Sequence, residues 1–124
     1  MLINDPAVLA EVEAIFAAYE AALLRNDNDT LARMFLDRPD TVRYGLNDVQ
    51  HGHAEVLAFR ASQAPFDRKL DRTVITSYGR DCATAQTQFI RDDAPGRIGR
   101  QTQVWVRTEA GWKVAAAHVS MMDA

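Results

Sequence analysis

The sequence predicts an α+β domain in which N-terminal helices pack in the concave face of a curved antiparallel sheet, giving a cone. Three observations predict it. Apolar residues recur at helical spacing in the first quarter of the chain and again over residues 54–63. After Ala64-Pro65 the chain turns to strand-like runs separated by short turn formers, out to its end. Helices first and a meander last is the order of an α+β fold, and such a sheet must curve to bury the helical stripe. The last two runs, residues 99–107 and 111–120, flank Thr108-Glu109-Ala110 and read as a β-hairpin.

Asp5-Pro6 opens the first helix, because Asp suits the cap and Pro the first helical position. Val8, Val12, Ile15, Phe16, Tyr19 and Leu23 then recur at steps of three and four, so Tyr19 lies on the apolar stripe. Asn26-Asp27-Asn28-Asp29 ends that helix, and Asn28 or Asp29 caps a short second one over residues 30–35. Arg38-Pro39-Asp40 is a turn, residues 41–45 a short strand, and His51-Gly52-His53 a loop before the helix at 54–63. Strands follow at about 70–78, 83–91, 97–107 and 112–121, with turns at Gly79-Arg80-Asp81 and at 92–96. No linker or repeat interrupts the chain, so residues 1–124 are one domain.

Composition narrows the function. The 124 residues are 48% hydrophobic and 25% charged, with a net charge of −3, so no basic block marks a nucleic-acid partner. No apolar run reaches the ~20 residues of a membrane helix, and the first residues lack a signal-peptide pattern. The expected location is therefore the cytoplasm. Cys82 is the lone cysteine, which removes an internal disulfide and leaves a buried, inert thiol as the expectation. Lys69 and Lys113 are the only lysines among 14 basic residues. Arginine dominates, and its fork suits carboxylates.

Strand alternation supplies the first candidate site residues. Counting from Trp112, positions 114, 116, 118 and 120 share a face, which puts His118 and Ser120 at the end of an apolar row as a pocket floor. Gln103 has the parity of Trp105 and lines the pocket if Trp105 packs inward. Val104, Val106, Val119 and Met121 are then assigned to the outer face, where a second copy would cover them. Arg43, in its short strand, can grip a carboxylate through two parallel hydrogen bonds if it faces inward, or else is a surface arginine. Arg60 and Arg72 are secondary anion-binding candidates, set against salt-bridged roles. His51, His53 and His118 do not form a recognised zinc spacing, and no metal or other cofactor is expected.

The ending Gly111-Trp112-Lys113-Val114 with His118-Val119-Ser120 resembles the common last strand of the nuclear transport factor 2-like (SnoaL-like, cystatin-like) superfamily. Over nearly the whole chain, Thr41-Val42-Arg43-Tyr44-Gly45, Ala58-Phe59-Arg60, residues 72–81, residues 99–107 and Ala116-Ala117-His118-Val119-Ser120 resemble the AtzH-like family, which includes the HpxZ proteins of oxalurate catabolism. The resemblance implies a small carboxylated urea as substrate, and amidohydrolases of cyanuric acid, allophanate or oxalurate breakdown as pathway partners. It implies decarboxylation of 1,3-dicarboxyurea to allophanate, with Tyr19 and Arg43 at the positions of the catalytic pair, and a homodimer. His118, Gln103 and Ser120, with Arg60 and Arg72 behind them, would hold the rest of the substrate. The alternatives are an accessory carboxylate-binding dimer and an isomerase or cyclase. The last would want an acidic base in the cavity, and the sequence reading places no Asp or Glu there.

Overall fold

The computed structural model describes all 124 residues, in the order α1 (Pro6–Leu24), α2 (Asn28–Arg33), β1 (Val42–Tyr44), β2 (Val49–His51), α3 (His53–Ala61), β3 (Arg68–Tyr78), β4 (Cys82–Arg91), β5 (Arg97–Thr108) and β6 (Gly111–Asp123). The strands form one curved sheet in the order β2-β1-β6-β5-β4-β3. All neighbouring pairs are antiparallel except β1 with β6, which run parallel. The α+β cone expected from the sequence is the observed fold. No helix is long and apolar enough to cross a membrane.

The helical stripe of α1 is the core's spine. Val8, Val12, Phe16, Tyr19 and Leu23 are buried and cluster with Ala83, Ala85, Trp105, Val114 and Ala117 of the sheet, with Leu31 of α2 and with Phe35 just after it. Each fully buried side chain of this size contributes about 1.5–3 kcal/mol of transfer free energy. The cap of α2 is Asp27, one residue before the expected Asn28 or Asp29. Its carboxylate accepts from the Thr30 backbone N–H at 3.2 Å and from Thr30 Oγ1 at 2.7 Å.

Two features of the sheet differ from the sequence reading. His51, expected in a loop, closes strand β2, which the sequence reading does not include and which pairs with β1 through Arg43 opposite Gln50. And β6 carries a bulge. Trp105 pairs with Val114, but Val104 pairs with Ala116, so Ala115 is an extra residue. One inserted residue inverts the faces of everything beyond it. Trp112 and Val114 point inward before the bulge, and Ala117, Val119 and Met121 point inward after it.

In β5, Gly99 leaves room for a ring. A Cβ on Gly99 would collide with the ring carbons of Phe89 on the neighbouring strand. Phe89 is buried, and Arg68 stacks on it at 4.6 Å. Gly99→Ala should therefore overpack the floor and lower unfolding stability by about 1–3 kcal/mol, read as a shift of the urea midpoint at constant slope.

Candidate active site

A cavity of about 390 Å³ opens between α1, α3 and the inner face of the sheet. Strand register explains its lining. Arg43 of β1 sits opposite Gln50 on one side and Ala117 on the other, Ala117 opposite Gln103, and Gln103 opposite Ala85. The two small residues in that inward row leave the space that the polar side chains occupy. A second inward row runs Val119, Gln101, Thr87. Tyr19 and Leu23 enter from α1, and Phe59, Arg60 and Gln63 from the α3 side.

Three arginines are almost wholly buried here, Arg43, Arg60 and Arg68, at 8%, 6% and 6% exposure. Burying a guanidinium is costly unless a counter-ion comes with it. Arg68 has one: Glu20 takes its Nε at 3.0 Å and its Nη2 at 2.6 Å. Arg43 has a half-buried one: its Nη1 donates to Asp48 Oδ1 at 2.7 Å and to Gln50 Oε1 at 2.8 Å. Arg60 has none. Its Nη2 donates to the hydroxyl of Tyr19 at 2.9 Å, and its buried Nε has no acceptor. Arg43 and Arg60 both lie against the ring of Phe59, at 4.2 and 5.3 Å from its centroid. Burial lowers the pKa of Arg43, and the charge of Arg60 lowers it further, against the opposing pull of Tyr19 and Asp48. These are the marks of a site that holds excess positive charge in low dielectric.

The acceptor groups are already engaged. Trp105 Nε1 donates to Gln103 Oε1 at 3.0 Å, and Arg68 Nη1 donates to Gln101 Oε1 at 3.1 Å. Tyr19 receives its hydrogen bond from Arg60, so its own O–H is left to donate. Its ring is fixed edge-on against Trp105, 5.9 Å between centroids. The cavity therefore presents N–H and O–H donors to whatever enters it.

Of the residues singled out from the sequence, Tyr19, Arg43, Arg60 and Gln103 meet in this cavity. His118 and Ser120 do not. The bulge at Ala115 turns both to the outer face, where His118 is exposed against the ring of Tyr44 at 5.6 Å and Ser120 accepts from Arg100 Nε at 3.1 Å. The same inversion brings Val119 and Met121, assigned to the outer face, into the cavity lining. Arg72 is exposed at an irregularity of β3, with φ at 54°, and lies outside the cavity. The direct partner of the Tyr19 hydroxyl is Arg60.

The sequence reading also missed several lining residues. Arg68 falls two residues before the strand as first bounded, so its inward parity was never counted. Gln101 shares the parity of Gln103 and was legible on that ground. Asp48 and Asp93 supply the carboxylates thought absent, but each is engaged by an arginine, Asp93 by Arg91 Nε and Nη2 at 2.8 and 2.7 Å. Burial raises the Asp48 pKa, but the Gln50 hydrogen bond, the charge of Arg43 and the bond from Arg43 outweigh it, and the carboxyl stays below its ordinary value. A carboxylate held in this way is a weak base, which disfavours isomerase chemistry. His53, the helix-opening histidine, bonds the Ala32 carbonyl at 2.9 Å, while His51 is exposed beside Tyr44.

The sequence model of the AtzH-like family matches residues 1–124, and the chain belongs to that family. Among solved structures, a cystatin-like fold protein from Burkholderia xenovorans LB400 is 44% identical, with a TM-score of 0.95 over 100% of this chain and 98% of that one. A protein of unknown function from Pectobacterium atrosepticum SCRI1043 is 45% identical, with a TM-score of 0.93 over 98% of this chain and 95% of that one. A nuclear transport factor 2-like protein of Pseudomonas putida KT2440, 18% identical over 92% of this chain and 86% of that one, shares the fold with a TM-score of 0.76. No curated protein matches the chain.

The Arg43–Asp48 pair sets an acid dependence. A carboxyl whose folded pKa is depressed adds stability above its unfolded value, and that stability is lost as pH falls through the folded value. Asp48→Asn removes that contribution, so its melting temperature should fall below wild type at neutral pH. The gap should close as pH drops below the ordinary carboxyl value of 3.8. A melting series across that range reads it.

Proposed function

We propose that the protein is a cofactor-independent decarboxylase of a small N-carboxylated urea, of the type that turns 1,3-dicarboxyurea into allophanate. The setting would be cyanuric acid or related ureide nitrogen catabolism, next to an amidohydrolase. The observation that carries the reading is the meeting of two almost wholly buried guanidiniums, Arg43 and Arg60, with a phenol whose proton is free to be given, Tyr19. Membership of the AtzH-like family supports it.

The chemistry needs little more. Arg43, braced by Asp48 and Gln50, grips a substrate carboxylate and fixes its orientation. The N–C bond of the carbamate breaks, its electron pair stays on nitrogen, and carbon dioxide leaves. Tyr19 gives the nitrogen its proton, directly or through a water. Arg60, bonded to the phenol oxygen, stabilises the phenolate until solvent returns the proton. Gln103, locked by Trp105, offers its amide N–H groups to the urea carbonyl. The reading includes a homodimer, for which light scattering should return twice the 13.8 kDa chain mass.

The direct test supplies purified protein with 1,3-dicarboxyurea generated in situ and follows carbon dioxide and allophanate against the unaided reaction. Wild type should accelerate both. Tyr19→Phe should cut kcat by about 10²–10⁴ while leaving KM near its original value. Arg43→Ala should raise KM as well as lower kcat. A wild-type rate equal to the unaided one sinks the reading, and binding without turnover would make the protein an accessory carboxylate carrier.

A further inference from the structure

The hairpin of β1 and β2 brings Arg43, Gly45, Asp48 and Gln50 together at the cavity. Arg43 stands opposite Gln50, and Gly45 faces Asp48 across the turn, its N–H donating to the Asp48 carbonyl at 2.9 Å. The Asp48 side chain reaches past Gly45 to its diagonal neighbour. There its Oδ1 accepts from Arg43 Nη1 at 2.7 Å and from Gln50 Nε2 at 2.9 Å. Gln50 turns its own Oε1 to the same Nη1 at 2.8 Å. Three side chains thus close a ring of bonds on one nitrogen of Arg43.

Gly45 makes the room for that ring. Its φ is not positive, so alanine meets no left-handed strain there. The nearest atoms to a Cβ at this position are the Asp48 carboxyl group and Arg43 Nη1, the free ends of two side chains and no backbone. A methyl group at 45 therefore leaves the hairpin its path and pushes the ion pair apart.

The ring of bonds also decides which part of Arg43 is left for a ligand. Asp48 and Gln50 both take Nη1. The protein supplies no acceptor to Nε or Nη2, and neither atom is sealed from solvent. Nε and Nη2 together make a side-on fork that matches the two oxygens of a carboxylate.

We infer that Gly45, Asp48 and Gln50 are positioning residues that hold Arg43 by Nη1 and present its Nε–Nη2 edge to a carboxylate in the cavity. The inference rests on Arg43 being the carboxylate grip proposed above, and it adds the edge that grips and the residues that aim it.

N-Carbamoylglycine carries a urea and one carboxylate and has no carboxyl on nitrogen to lose, so it reads the grip without turnover. Calorimetry on purified protein should show Gly45→Ala, which keeps every charge, binding it at least about tenfold more weakly than wild type. Asp48→Ala supplies a test of sign and serves if Gly45→Ala does not fold. On charge alone, losing a carboxylate beside the site tightens anion binding. Losing an aiming group weakens it, again by about tenfold. In an Arg43→Ala background neither substitution should change the residual affinity, because both act through that side chain. The clamp is overturned by no wild-type binding, by a Gly45→Ala affinity within about twofold of wild type, by tighter binding in Asp48→Ala, or by losses that persist without Arg43. Binding through the clamp with no carbon dioxide released from 1,3-dicarboxyurea removes the decarboxylase and leaves the clamp. Turnover untouched by Gly45→Ala removes the clamp and leaves the decarboxylase.

Discussion

The placing of two like charges around one aromatic ring governs this molecule. Arg43 and Arg60 both rest on Phe59, almost wholly removed from water, with one half-buried carboxylate between them. Such an arrangement is unfavourable on its own, since each guanidinium gives up hydration and repels the other. It persists because the surrounding packing leaves no alternative. Arg43 is fixed by its register between Gln50 and Ala117, and Arg60 by the first-helix phenol to which it donates. Two buried donors in the cavity walls, Arg60 Nε and Gln101 Nε2, are left without an acceptor, at a cost of about 1–3 kcal/mol each.

The rest of the fold can be seen as the frame for that arrangement. Helix α1 contributes both the apolar stripe that closes the cone and, on the same stripe, Tyr19. The polar inner wall rests on aromatic neighbours: Trp105 locks Gln103, and Phe89 supports Arg68. Gly99 is bare because Phe89 needs the space. Packing and recognition therefore share residues, so a change in the core at these points is felt in the cavity.

Much of this was legible in the sequence. The helical stripe gave Tyr19, the meander gave the sheet, and the parity of Trp105 gave Gln103. Parity failed where it depended on an unbroken strand. Ala115 is one alanine in a run of three, and nothing in Ala115-Ala116-Ala117 marks which of them is the extra residue. A bulge is decided by how β5 and β6 twist together, a long-range property. For that reason His118 and Ser120 were placed inside and Val119 and Met121 outside, the reverse of the structure. Strand β2 was missed because three residues of Val-Gln-His carry no period. Its importance lies in its partner, since Gln50 acquires meaning only when β1 brings Arg43 opposite.

The bulge has an effect on the far side of the sheet as well. By sending His118 and Ser120 outward, it seeds the convex surface with an imidazole and a hydroxyl beside Tyr44, Thr102 and Arg100. Two copies meeting back to back there would join through a wet, hydrogen-bonded seam instead of an oily plane. A single alanine in β6 would then have set the chemistry of that seam.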